Sequence, residues 1–167
     1  MKESLKKWWR VRDNRLKTMS VVLAGLLILY ALLVTGGGSA RDVGMDAITA
    51  ELTDVTADLL ERDENDLQKT FGTDGASLDA WRFWSMDSVM DIDELLIARC
   101  EESSGLDELE DAVYAHLETQ RTSFANYGTD QSFYLKNAVI RRIGRWFFYA
   151  VGHDAEAQEQ AFLRAVR

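Results

Sequence analysis

The sequence predicts an all-α protein: a single N-terminal transmembrane helix followed by an extracytoplasmic four- to five-helix bundle. Three observations predict it. Met19 to Thr35 is a run of 17 uncharged, mostly apolar residues. The chain of 167 residues contains no proline, where average usage near 5 % would give about eight, and proline is the residue that interrupts helices. Beyond the apolar run, hydrophobic residues recur at three-and-four spacing over long stretches, the stripe of an amphipathic helix.

The apolar run comes first in the chain and fixes the topology. No charge falls between Lys17 and Arg41, a gap of 23 residues, and at 1.5 Å per residue that length matches a hydrocarbon core of roughly 30 Å. Core helices of soluble domains seldom run so far without a polar face. Residues 1–17 hold seven Lys/Arg against Glu3 and Asp13, a net +5, which the positive-inside bias keeps cytoplasmic. Trp8 and Trp9 beside Arg10 suit the headgroup boundary, where amphipathic rings and cations both find partners. The expected division is therefore a basic cytoplasmic tail 1–17, a membrane helix 18–35, a Gly-rich linker 36–41 and an acidic helical domain 42–167. The location expected is a bacterial plasma (inner) membrane, with the C-terminal domain on the periplasmic or extracellular side. A cleaved secretory signal is the competing reading of the same segment, with small residues at Gly38-Ser39-Ala40, but the apolar run exceeds the 7 to 15 residues of an ordinary signal core.

The whole chain carries −9 and the tail +5, which leaves −14 for residues 18–167. A domain so acidic excludes nucleic acid as a partner and is repelled by anionic headgroups. Five helices are expected in it. The first runs from about residue 42 to 70 on Ile48, Leu52, Val55, Leu59, Leu67 and Phe71, and Gly72 stops it. Ser77 caps a second, carrying Leu78, Trp81, Trp84, Ile92, Leu96 and Cys100 as far as Ser103. The third starts near Leu106 with acids against its N-terminal dipole, carries Leu109, Val113, Leu117 and Phe124, and ends at Asn126-Tyr127-Gly128. The fourth runs from Asp130 or Ser132 to Gly152 through Leu135, Val139, Ile143, Phe147 and Val151. Asp154 caps a short fifth with Ala161, Phe162 and Val166. Short connections between long amphipathic helices define an antiparallel bundle.

Catalytic and cofactor chemistry finds little to build on. The two histidines, His116 and His153, belong to no HExxH, Glu-x-x-His or CxxCH pattern. His116, between Val113 and Leu117, is expected as a hydrogen-bonded histidine at the core edge, and His153 as a helix-end residue. The acidic clusters 61–66 and 87–94 lack the spacing of a calcium loop and read as solvated helix faces. No Gly-rich phosphate loop or GxSxG is present. The expectation is no enzyme, no catalytic residue, no metal and no cofactor. Cys100 is the single cysteine, so it is buried or else links two chains.

Two aromatic groups are apolar on too many sides for one helix face: Trp81, Phe83 and Trp84 with Arg82 between them, and Trp146 to Tyr149. The second adjoins a basic patch of Arg141, Arg142 and Arg145. Aromatic residues with arginine are enriched at interface hot spots. The expected partner-binding residues are therefore Arg141, Arg142, Arg145, Trp146, Trp81, Phe83 and Trp84, the arginines and Trp146 partly exposed. The preferred function is an accessory or structural subunit of a larger membrane complex. Its expected partners are the lipid bilayer, other membrane protein subunits and, by self-association, a homo-oligomer. The alternatives are a ligand-sensing external bundle acting through a partner and a secreted helical protein.

Overall fold

The computed structural model describes residues 43–88, 90–125 and 129–167. The expected tail 1–17, membrane helix 18–35 and linker 36–41, and with them Trp8, Trp9 and Arg10, lie outside the described residues. The chain divides into two units, Met1–Gly38 and Ser39–Arg167, and the second holds all of the described residues. Among the described residues no helix is long and apolar enough to cross a membrane.

This unit is not a helical bundle. It is built on a five-stranded antiparallel sheet of order β1-β2-β3-β5-β4, whose strands are β1 Leu60–Arg62, β2 Ala80–Ser85, β3 Glu94–Arg99, β4 Val139–Ile143 and β5 Trp146–Val151. The helices are α1 Met45–Leu52, α2 Glu64–Phe71, α3 Ser103–Phe124, α4 Thr129–Lys136 and α5 Ala155–Val166. The first expected helix, 42–70, is in fact α1, a 3-10 turn at Thr53–Val55, β1 and α2. The second is the pair β2 and β3, and the fourth is α4 followed by the β4–β5 hairpin. The third and fifth are the helices α3 and α5.

The correction has a physical cause in the sheet's central position. Each strand side chain points to the face opposite its neighbour's, and here both faces are covered. Phe83, Leu96, Ala98, Phe147, Tyr149 and Val151 pack with Leu67 and Phe71 of α2, Leu106, Leu109, Val113 and Leu117 of α3 and Leu135 of α4. Trp84, Leu95, Ile97, Trp146, Phe148 and Ala150 pack on the other side with Ile48 and Leu52 of α1 and Ala161, Phe162 and Val166 of α5. Strands covered on both faces lose the polar alternation that marks a half-exposed strand and read as continuous apolar runs. β5 is buried at every position, and each large core side chain contributes roughly 1.5–3 kcal/mol by leaving water. The missing proline is equally consistent with this arrangement, since an interior strand tolerates proline no better than a helix does.

Local signals agree with the observed elements. Asp63 caps α2, its carboxylate accepting from the backbone N–H of Asp66 at 3.0 Å, and that bond holds its carboxyl below the usual value. Gly144 has φ +58° while Arg145 has negative φ, the two-residue connection with glycine first that matches the twist of a tight hairpin. It brings Ile143 opposite Trp146.

Candidate functional site

One polar cluster interrupts the apolar layer between the sheet and helices α2 and α3. Glu94, the first residue of β3, shares a face with Leu96 and Ala98 and is 8 % exposed. A carboxylate at that depth costs several kcal/mol unless donors replace the water it has lost. Three side chains supply them. Tyr149 Oη, on β5, donates to Oε2 at 3.0 Å. His116 Nε2, on α3, lies 2.9 Å from Oε2 and 3.1 Å from Oε1. Gln120 Nε2, one turn further along α3, donates to Oε1 at 2.8 Å. The Gln120 amide nitrogen is also 2.9 Å from His116 Nε2, but two carboxylate oxygens against that ring nitrogen assign it a proton aimed at Glu94. In the neutral ring the lone pair is then on Nδ1.

The imidazole is held by packing as well. Phe71 meets it edge-on, ring centroids 5.0 Å apart, and Phe71 is itself set by edge contacts with Phe83 at 5.1 Å and Tyr149 at 6.0 Å. His116 lines a cleft of about 540 Å³ between the end of α2 and the middle of α3. Lys69, Thr70 and Phe71 form one wall, and Ala112, Ala115 and Thr119 the other. The site thus combines a buried carboxylate, an oriented imidazole and an open polar rim.

Tyr149 is the clearest titrating group. Burial first, then the Glu94 charge and the hydrogen bond to it, push its hydroxyl well above the ordinary 10.0, against a smaller opposing pull from Arg121. Because the folded value is raised, the stability that the neutral phenol contributes is complete below about pH 10 and is lost as pH rises through the folded value. Urea midpoints measured on both sides of pH 10 should therefore fall in the wild type. Tyr149→Phe should lower stability by about 1–3 kcal/mol at neutral pH, since Glu94 loses a donor, and should show a smaller alkaline decline.

The basic patch is tied into the fold. Arg141 Nε donates to Glu159 on α5 at 2.6 Å, and its Nη1 caps the Ile140 carbonyl at 3.2 Å. Arg142 pairs with Asp107 and donates to the Ser103 carbonyl on α3, and Arg145 donates to Glu101 at 2.9 Å. The two strand arginines clamp the edge strand β4 to a helix on each face, and charge on an edge strand blocks strand addition. Arg141 and Arg145 remain more than half exposed. Trp146 does not: at 2 % exposure it is core, as are Phe83 at 1 % and Trp84 at 5 %, while Trp81 is half-buried. The expectation of a partly exposed Trp146 is corrected because consecutive aromatics on a strand enter two opposite core layers. Excess apolar character on all sides is the signal of a doubly covered strand.

Cys100 is buried, its Sγ donating to the Ser77 carbonyl at 3.1 Å. His153 is exposed, its ring beside Asp154 at 3.1 Å. In the acidic stretch 87–94, Asp87, Asp91 and Asp93 lie outside any helix and Glu94 opens β3 as a buried residue, so the described part is not a solvated helix face. Among the described residues no three His, Cys, Asp or Glu side chains are placed to hold a metal ion.

An antiparallel sheet between two helical layers, with a carboxylate–imidazole–phenol cluster beneath a surface cleft, defines the described residues as a small α/β/α domain. The chain belongs to the family described as "Domain of unknown function (DUF4358)", whose model matches residues 52–152, more than half of the chain. The match takes in all five strands and every member of the Glu94 cluster. No curated protein and no solved structure matches the chain.

Proposed function

We propose that the protein is a non-catalytic accessory subunit of a membrane complex, anchored by Met19–Thr35 with its tail in the cytoplasm and its α/β domain outside a bacterial plasma membrane. The observation that carries this reading is the order of charge and hydropathy along the chain: +5 over residues 1–17, then 17 uncharged residues, then an acidic remainder. An acidic domain stands off anionic lipid, and the arginine patch it carries fits an acidic surface of a neighbouring subunit. On the domain itself the exposed arginines of β4 and its turn are the docking residues, since Trp146, Phe83 and Trp84 are occupied in the core.

Arg145→Glu tests this surface. Arg145 and Glu101 are both more than half exposed, and such pairs are worth about 0–1 kcal/mol. Stability should therefore stay within roughly 0.5 kcal/mol of wild type while the subunits that co-purify in mild detergent are depleted. Co-purification at wild-type stoichiometry would remove the arginine surface from the proposal, and a wild type that brings down no membrane protein would end the accessory-subunit reading. A ligand-sensing external domain acting through a partner is the second reading, and the cleft over His116 favours it.

A further inference from the structure

We propose that the cleft between α2 and α3 binds a small zwitterion of the free α-amino acid class, its ammonium over the His116 floor and its carboxylate at Lys69. The inference deepens the ligand-sensing reading and is independent of membrane docking.

The chemistry of the lining separates two ends. At the floor, Glu94 fixes the His116 proton on Nε2, which leaves Nδ1, with no protein donor among the described residues, as the open acceptor of a ring that lines the cleft. Thr119 Oγ1 spends its proton on the Ala115 carbonyl at 2.9 Å and so presents lone pairs. Acceptors backed by a buried carboxylate favour a cationic donor. Arg121 lies near enough to Tyr149 to affect it, but its guanidinium is engaged by the Leu135 carbonyl and Glu118. At the rim, Lys69 is 75 % exposed, and among the described residues its ammonium meets only Asp66, at a loose 3.4 Å. Its flexible stem can carry the charge over the opening, beside the Thr70 hydroxyl. Ala112 and Ala115 keep the α3 wall low, and Phe71 offers an apolar surface to a side chain.

Four methyl-bearing residues, Thr70, Ala112, Ala115 and Thr119, line this cleft, so carbon-labelled alanine and threonine methyls of the full chain in detergent micelles report directly on it. Each of the free L-amino acids is added at millimolar concentration, with acetate and methylammonium as single-charge controls. At least one amino acid should shift the methyls of all four residues saturably, and neither control should do so. Lys69→Ala, a surface change that leaves the core intact, should weaken that binding about tenfold, as expected for loss of one charge-assisted contact. The proposal is overturned if no amino acid gives saturable shifts, if methylammonium or acetate gives the same shifts, or if Lys69→Ala binds as wild type does. None of these outcomes bears on co-purification of membrane subunits.

Discussion

Glu94→Ala should destabilise the α/β domain by about 3–5 kcal/mol, the range for removing one member of a buried charged network and leaving a cavity behind. The carboxylate is the common acceptor of Tyr149, His116 and Gln120. Without it a buried phenol and a half-buried amide face each other across an apolar layer with no acceptor between them, and each orphaned donor carries its own desolvation cost. Gln120 Oε1 is already buried without a partner, so the amide cannot turn round to repair the loss without exposing that imbalance elsewhere. Glu94→Gln keeps the shape and one acceptor oxygen but turns an amide N–H toward a donor, and should cost less, about 1–3 kcal/mol. Denaturant unfolding of the two variants measures both numbers. An alanine variant with the wild-type midpoint would show that the cluster holds nothing together.

Gly152→Ala should cost about 3 kcal/mol, from backbone strain and from overlap together. Gly152 follows β5 with φ +121°, a conformation that side chains rarely allow. A Cβ there would stand 2.2 Å from Asp93 Oδ1 and 2.9 Å from Asp93 Cα. The carboxylate cannot simply swing away, because the same oxygen accepts the His153 backbone N–H at 2.8 Å. A double-mutant cycle with Asp93→Ala isolates the overlap with the carboxylate. Removing the carboxylate should recover part of the loss, the overlap with its atoms, and leave the part due to φ and to the close approach of the Asp93 backbone. Complete recovery would mean that the glycine is needed for space alone.

The two helices that the sequence predicts correctly, α3 and α5, are the longest of those described, and each has one covered face. Leu106, Leu109, Val113 and Leu117 are buried while Asp107, Glu108, Asp111 and Glu118 are exposed, so the helical period survives in the residue pattern. β3 and β5 carry no such contrast. Glu-Leu-Leu-Ile-Ala-Arg and Trp-Phe-Phe-Tyr-Ala-Val are covered above and below, and an apolar run of six residues fits a short buried strand or a piece of buried helix equally well by periodicity. Two local features do point to strands: the aromatic content of Trp146–Tyr149, and Gly144-Arg145 between the β-branched segment Val-Ile-Arg-Arg-Ile and the apolar run after it, a two-residue hairpin signal. A single helix over 130–152 accommodates neither. The Glu94 cluster is hidden for a related reason. Glu94, His116, Gln120 and Tyr149 are brought together by sheet register and by the packing of α3, and no spacing along the chain announces that meeting. His116 alone is legible, as a hydrogen-bonded histidine on the edge of an apolar stripe, because its neighbours on the helix are core residues. The arginines of β4 and its turn look like a free patch in the sequence because their carboxylate partners lie 18 to 44 positions away in the chain.

The proposed placement of the α/β domain, outside the membrane on a single span, is open to a direct test by thiol labelling. Gln68 is exposed on α2, and the chain's one native thiol, Cys100, is buried, so Gln68→Cys supplies a single reactive cysteine in the domain. A membrane-impermeant maleimide added to intact spheroplasts should label it to the same extent as in lysed ones, while the wild type stays unlabelled under both conditions. Labelling that appears only after lysis would place the domain in the cytoplasm and contradict the proposed topology.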